Sequence, residues 1–298
     1  MIDVQKAKKA LTGPISSVST PFNKDGSIDY KSLCNLVDFI IEEGKSGTVL
    51  LTYGDSLYVL LTDDEIAEVT KVVSQHTAGR AMVVAATGRW WTGKSIEFAE
   101  YAKEVGADVL MSLPPEWCGC NSAENIAQHY KEIGKIIPTM VVTSYGVGGG
   151  RGLPLESMRM LLDKDANVVA IKDDVAGYYG KQMATLVDGR WAVLSGGRKI
   201  NHLDIMPYGV DGYLSAFTRF CPSVAHQYWD YIESGNIPEA AKIIQKYDMP
   251  YFDVLVPRVG TDFDLVVHAS MEVFGLASRW RRMPFVSASK SIKANQGF

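Results

Sequence analysis

Lys172 is the residue whose type and setting most suggest chemistry. It ends a short apolar run, residues 168–171, and is followed at once by Asp173 and Asp174. Such a run is typical of a buried strand, which would deliver one amine to the edge of a sheet. Apolar surroundings disfavour the charged form of a lysine, and a neutral amine can form a Schiff base with a carbonyl compound. The alternative is a strand-end lysine that reaches water or pairs with either aspartate.

The elements that would position this lysine follow a regular alternation. Amphipathic helical patterns at 32–43, 64–75, 95–105, 123–136 and 155–162 separate short apolar runs. There are eight such runs, at 15–22, 48–52, 81–87, 109–113, 140–143, 168–171, 192–194 and 213–217. Eight strand–helix units predict an α/β fold, a (β/α)8 TIM barrel. An open doubly wound sheet is the alternative, but residues 19–22 do not form the glycine-rich turn that it requires.

The chain is predicted to divide near residue 221. Residues 1–221 would form the (β/α)8 barrel. Residues 222–298 would supply the last barrel helix and a C-terminal helical bundle, because helical patterns recur at 223–232, 238–246 and 263–274.

In a TIM barrel, active-site groups follow the C-terminal ends of the strands. That rule brings one amine, several hydroxyls, a phenol and two arginines to a single rim. This set suits Schiff-base chemistry on an anionic 2-oxo acid, in which the amine attacks the keto carbon, a hydroxyl moves protons and backbone N–H groups hold the carboxylate. The candidates are Thr52, Tyr53, Arg89, Glu116, Tyr145, Lys172, Ser195, Gly196, Arg198 and Ser215.

Composition excludes several classes of partner. The 298 residues include 30 basic and 34 acidic side chains, a net charge of −4, with no basic block. We therefore expect neither nucleic acid nor membrane as a partner. Four scattered cysteines and the lack of a secretory signal predict a cytoplasmic protein with reduced thiols. Five dispersed histidines predict no metal site. No cofactor is expected either, since no phosphate cup for a pyridoxal phosphate follows the last two strands.

Several short motifs occur in order along the chain. Residues 19–29 read STPFNKDGSID, residues 52–55 read TYGD, and residues 170–173 read AIKD around Lys172. GAD at 106–108, LPP at 113–115, SG at 195–196 and RMP at 282–284 complete the series. With these motifs the chain resembles the dihydrodipicolinate synthase / N-acetylneuraminate lyase family of pyruvate-type class I aldolases over nearly its whole length.

The resemblance implies a barrel with a C-terminal helical bundle, assembled as a homo-oligomer, a tetramer or a dimer. It also implies that Lys172 forms the Schiff base and that Thr52 and Tyr53 hold the substrate carboxylate. Thr52 would also belong to the catalytic group.

The chain departs from the family pattern at three places. The family's catalytic tyrosine position is occupied by Val142, and Tyr145, three residues later, is the candidate replacement or only a loop aromatic. The second tyrosine, after the two prolines, is replaced by Glu116-Trp117, of which Glu116 could act alone as an acid or base. Arg151 is a possible substitute for the missing arginine that binds the second carboxylate. The lysine-biosynthetic reaction is therefore not expected.

Arg89 and Arg198 follow the third and seventh predicted strands. Arginine forks suit a second carboxylate or a phosphate, whereas solvated rim charges are the alternative. The sequence thus predicts a Schiff-base-forming lyase, an aldolase or hydro-lyase, that acts on pyruvate or a 2-keto-3-deoxy acid. The alternative function is a catalytically impaired barrel that binds a 2-oxo acid as a sensor.

Overall fold

The computed structural model describes residues 2–114, 122–145, 151–260 and 262–289, without the side chains of Tyr145 and Arg151. Eight parallel strands close into a barrel, and a two-stranded antiparallel ribbon, formed by residues 144–145 and 151–152, lies outside it. The strands are β1 (Gly13–Ser17), β2 (Thr48–Leu50), β3 (Met82–Ala86), β4 (Val109–Ser112), β5 (Thr139–Val142), β6 (Ser144–Tyr145), β7 (Arg151–Gly152), β8 (Val168–Asp173), β9 (Ala192–Ser195) and β10 (Gly212–Leu214). Each barrel strand overlaps one of the eight predicted runs, and the TIM barrel prediction is confirmed.

One helix, α1 (Val4–Leu11), precedes the first barrel strand, and the others follow barrel strands and cover the outside of the sheet. The others are α2 (Tyr30–Glu42), α3 (Asp63–Thr77), α4 (Thr92–Glu104), α5 (Ala123–Gly134), α6 (Leu155–Leu161), α7 (Gly177–Val187) and α8 (Lys199–Ile205). All residues of the eight barrel strands are buried. A sheet covered on both faces has no solvent face, which explains why these strands read as continuous apolar runs.

Helix α1 precedes the first barrel strand and was not expected from the sequence. The Asp3 carboxylate caps it by accepting a hydrogen bond from the Lys6 N–H at 2.9 Å. The helix buries Ala7 and Leu11, and the carbonyl of Ala10 accepts a hydrogen bond from the Thr48 hydroxyl at the start of β2. It therefore lies at the N-terminal end of the barrel, opposite the predicted active site.

The C-terminal region is helical but irregular. It contains α9 (Pro222–Glu233), α10 (Ile237–Ile243), two π-helical segments (Ile244–Asp248 and Pro250–Leu255), α11 (Val256–Arg258) and α12 (Phe263–Val273). The predicted helix at 238–246 is helical throughout, but its last three residues, 244–246, belong to a π-helical segment. Pro250 and Pro257 have no N–H group to donate, and this interrupts the regular hydrogen-bond ladder. The division of the chain at residue 221 stays a prediction.

Arg282 joins the C-terminal region to the opening motif. Its guanidinium binds both carboxylate oxygens of Glu65 at 2.6 Å and donates to the carbonyls of Gly26 and Leu60. Its plane also lies over the Phe22 ring, 5.0 Å from the centroid. The RMP and STPFNKDGSID motifs are therefore in contact. The same Glu65 side chain accepts the Thr62 N–H in the capping box that begins α3.

Within the described ranges, the helices are too short or too polar to cross a bilayer.

Candidate active site

A cavity of about 860 Å³ opens at the C-terminal ends of the barrel strands. Strand ends, the loops after them and the C-terminal region all contribute to its wall. Five predicted site residues line it, namely Thr52, Tyr53, Arg89, Lys172 and Arg198. The other lining residues that carry the description below are Asp55, Val142, Ser144, Asp174, Leu214, Arg219, Phe252, Asp253 and Phe263.

Lys172 projects from β8 between two apolar neighbours. In register it pairs with Val142 on β5 and with Leu194 on β9. Only 7% of its surface is exposed. Its Nζ donates a hydrogen bond to Oδ1 of Asp174, so the amine is paired with the second of the two following aspartates.

Asp173 faces away from the amine and organises the turn after β8. Its carboxylate accepts hydrogen bonds from the Thr143 hydroxyl at 2.8 Å and from the N–H groups of Val175 and Ala176 at 3.1 Å. Burial raises the pKa of Asp173, although these hydrogen bonds oppose the rise. Thr143 Oγ1 also accepts the Asp174 N–H at 2.9 Å. One threonine therefore positions both aspartates.

Gly196, a predicted substrate-binding residue, lies against Asp174. A Cβ atom at this position would stand 1.9 Å from Asp174 Oδ1 and 2.8 Å from the Asp173 carbonyl oxygen. The glycine therefore leaves room for the carboxylate that contacts Lys172. Its neighbour Ser195 and the predicted Ser215 are both buried, and neither hydroxyl has a hydrogen-bond partner among the described residues.

The loop after β2 holds Thr52 and Tyr53 in a tight turn. Thr52 donates its N–H to the Ser56 hydroxyl at 3.0 Å, and its own hydroxyl accepts the Asp55 N–H at 2.9 Å. The Tyr53 ring lies beneath the guanidinium of Arg89, 5.2 Å from the ring centroid. Residues of the second and third strand ends thus meet on one side of the cavity.

Arg198 lies on another part of the cavity wall and contacts the C-terminal region. Its Nη1 is 2.9 Å from Asp253 Oδ1, and its guanidinium lies 4.5 Å from the centroid of the Phe252 ring. The side chain is 43% exposed. Arg198 therefore lines the cavity, as expected of an arginine that binds a substrate anion, but it is partly exposed and already paired with a carboxylate. It lies between the two predicted alternatives.

Arg219 is a cavity residue that sequence reasoning missed. It ends the 3-10 turn Ala216–Arg219 after β10 and is only 3% exposed. Its Nη1 donates to the Ser19 hydroxyl at 3.1 Å, and its Nη2 lies 3.8 Å from Asp55 Oδ1. Burial alone would raise the pKa of Asp55, but Arg219, the Ser17 hydroxyl and Lys172 hold it below its usual value. The sequence did contain a signal for Arg219, because this residue lies two positions after the last apolar run, 213–217, and so close to the end of a predicted strand.

Three predicted site residues have no described side chain. Glu116 lies outside the described residues, as do the side chains of Tyr145 and Arg151. The backbones of Tyr145 and Arg151 are paired in the antiparallel ribbon. Among the described residues, no group of three or more His, Cys, Asp or Glu side chains could hold a metal ion.

Comparison with known proteins agrees with this barrel and its motifs. The model of the Dihydrodipicolinate synthetase family matches residues 10–296. The chain belongs to that family. A 4-hydroxy-tetrahydrodipicolinate synthase of Chlorobium luteolum is 31% identical over 292 residues, which cover 96% of this chain and 95% of the relative. A synthase of the same name from Methanococcus vannielii is 29% identical over 287 residues, 95% of each chain.

Solved structures share the fold. An N-acetylneuraminate lyase from Mycoplasma synoviae superposes with a TM-score of 0.81 at 20% identity, and covers 96% of this chain and 95% of its own. A prophage protein of the dihydrodipicolinic acid synthase family from E. coli K12, solved in complex with pyruvate, gives 0.81 at 22% identity and covers 95% of each chain. The predicted family is confirmed, and with it the enzyme class, a lyase of the class I aldolase type.

Proposed function

We propose that the protein is a lyase that forms a Schiff base between Lys172 and a 2-oxo acid. The reaction is aldol cleavage or condensation of a pyruvate unit, or dehydration of a 2-keto-3-deoxy acid. The observation that carries this proposal is the position of Lys172, a buried amine between Val142 and Leu194 whose Nζ faces the cavity at the barrel mouth. A primary amine in this position can add to the keto carbon of a bound 2-oxo acid and form a Schiff base.

The proposed substrate carries a second anionic group. Thr52 and the Tyr53 amide hold the carboxylate next to the keto carbon, with Ser195, Gly196 and Ser215 near the same strand ends. Arg89 and Arg198 line the cavity and would contact the far end of a dicarboxylate or acid sugar. If Arg198→Ala leaves the affinity for dicarboxylic oxo acids unchanged, this assignment is wrong.

Proton transfer is assigned to Tyr145, with Glu116 as a second candidate and Arg151 as a further anion contact. Val142 stands beside Lys172 where the family pattern has a phenol, and this argues against the lysine-biosynthetic reaction even though the relatives are named as synthases. Full turnover by Tyr145→Phe would exclude the role of its hydroxyl. We also propose that the protein is a cytoplasmic homo-oligomer.

Reductive trapping tests the Schiff base directly. The protein is incubated with pyruvate and borohydride, and its intact mass is measured. We expect an increase that corresponds to one reduced pyruvate adduct, mapped by peptide analysis to Lys172. Lys172→Arg is the matched control and should give no adduct.

The alternative function is a sensor that binds a 2-oxo acid without turnover, and the missing phenol at Val142 favours it. In that case pyruvate would raise the melting temperature while no adduct forms, although a known class I aldolase is trapped under the same conditions.

A further inference from the structure

We propose that Asp174 is the catalytic residue that carries protons to and from the Lys172 nitrogen during Schiff-base formation. This inference rests on the function proposed above and adds to it the group that serves the Lys172 nitrogen itself. It is independent of Tyr145, whose side chain is not described.

The contact between the two residues is direct. Lys172 Nζ donates to Asp174 Oδ1, so the carboxylate touches the atom that becomes the imine nitrogen. Asp174 also lines the cavity, and its side chain is 24% exposed. It can therefore contact a bound substrate, whereas Asp173 is fully buried and already accepts three hydrogen bonds.

The protein holds the Asp174 carboxylate in place from three directions. Its backbone N–H is bound by Thr143 Oγ1, and its second oxygen, Oδ2, accepts a hydrogen bond from the Ser144 hydroxyl at 3.4 Å. The absence of a Cβ at Gly196 leaves the space that Oδ1 occupies. A proton carrier must be held within hydrogen-bond reach of the reacting atom, and these contacts achieve that.

The other carboxylates of the described cavity wall are bound elsewhere. Asp55 lies near Arg219 and accepts the Ser17 hydroxyl at 2.6 Å, while Asp253 pairs with Arg198. The strand neighbours of Lys172 at Val142 and Leu194 have no group that can transfer a proton. Asp174 is thus the described carboxylate in contact with the amine.

The proposed step balances in protons and electrons. The ammonium of Lys172 gives a proton to the Asp174 carboxylate, and the neutral amine adds to the keto carbon as the carbonyl π pair moves to oxygen. Asp174 returns that proton to the alkoxide and then takes one from the new C–N nitrogen, which leaves a neutral carbinolamine. It finally protonates the hydroxyl group, the nitrogen lone pair forms C=N, and the C–O bond breaks to release water. One ammonium and one ketone become one iminium and one water.

The test measures how fast the imine forms. Enzyme and saturating pyruvate are mixed, quenched with borohydride after set times, and analysed by intact mass. We expect Asp174→Asn to slow adduct formation by about 10²-fold or more, the usual effect of losing a general acid–base group. Asp174→Glu should keep part of the rate, and added formate should accelerate Asp174→Ala.

If Asp174 acts only through its negative charge, the rate of adduct formation in Asp174→Asn should change in the opposite direction. Loss of a neighbouring negative charge favours the neutral amine, so Asp174→Asn would then form the adduct as fast as the wild type or faster. That result, or no response of Asp174→Ala to formate, would overturn the proposal. Circular dichroism and melting confirm that each variant is folded.

A matched control comes from the outer helices. Asp204 pairs with Lys181 at 2.7 Å, away from the cavity, so Asp204→Asn removes the same kind of carboxylate and should leave the trapping rate unchanged. Trapping of the wild type separates the two proposals. If the wild type gives no adduct with any 2-oxo acid, the proposed function fails and this inference with it. If the wild type is trapped and Asp174→Asn is trapped equally fast, the inference alone fails.

Discussion

Replacing Arg219 by methionine should destabilise the protein at pH 8, because it leaves the Asp55 carboxylate in the cavity wall without its cation. The two side chains are 3% and 20% exposed, and Nη2 is 3.8 Å from Oδ1. With an effective dielectric constant of about 20, a pair at this distance interacts by about 4 kcal/mol. Methionine keeps much of the packing volume, so we expect a loss of about 3–4 kcal/mol in the free energy of unfolding.

The loss should depend on pH. In the wild type, the pKa of Asp55 is below its usual value despite burial, so the carboxylate stays ionised in the folded state down to low pH. Without Arg219 the effect of burial is no longer offset by this cation, and the pKa of Asp55 should rise. Protonation would then remove the unpaired charge, so Arg219→Met should cost less stability at pH 5 than at pH 8.

Urea unfolding at one fixed protein concentration measures both effects, and a double-mutant cycle with Asp55→Asn isolates the charge interaction. In the Asp55→Asn background, Arg219→Met should cost only about 1 kcal/mol of lost contacts. Arg258→Met, an exposed arginine of α11, is the control and should change stability by no more than about 0.5 kcal/mol. Equal losses in both backgrounds and at both pH values would refute the reasoning.

Two further substitutions test other parts of the structure by urea unfolding. Burial, reinforced by Asp55 and opposed by Arg219 and Arg281, raises the pKa of Asp264 to about 7. Ionisation of Asp264 therefore lowers the free energy of unfolding of the wild type as the pH rises from about 4 to 7. Asp264→Asn lacks this ionisation, so its free energy of unfolding relative to that of the wild type should increase by about 2 kcal/mol between pH 5 and pH 8. Parallel pH curves for the two proteins would contradict this. Ala176 has φ 58° and ψ −160°, a conformation that costs about 1–3 kcal/mol outside glycine. Ala176→Gly relieves this strain but makes the unfolded chain more flexible, so the free energy of unfolding should rise by a net of about 1 kcal/mol. A decrease would show that the backbone at this position is not strained.

The barrel could be predicted because each strand and each covering helix has a characteristic pattern of apolar residues within its own short segment. A strand covered on both faces must be apolar throughout, and a helix that covers it must be apolar on one face, so the alternation from 13 to 214 can be read directly. Active-site groups of a TIM barrel follow the C-terminal ends of the strands, and this correctly predicted five residues of the cavity wall: Thr52, Tyr53, Arg89, Lys172 and Arg198.

The finer contacts of the site depend on distances that the sequence does not contain. Arg219 meets Ser19 across 200 positions of chain, and only the closed barrel brings them together. The choice between Asp173 and Asp174 as partner of the amine had a usable signal. Side chains two apart along a strand share a face, so position 174, and not 173, should lie beside Lys172. The break at Pro250 was equally visible, but its effect on the neighbouring turns depends on tertiary packing.

The π-helical segment Pro250–Leu255 supplies Phe252 and Asp253 to the cavity wall, where Asp253 pairs with Arg198. The amine and most of the cavity wall are therefore encoded before residue 221, and the remaining part of the wall is encoded after it. A chimera that joined this barrel to the C-terminal region of a relative would retain the nucleophile but would have different residues in that part of the cavity wall. Recombination at that junction offers a route by which one reactive lysine could be matched to new substrates without any change in the strand that bears it.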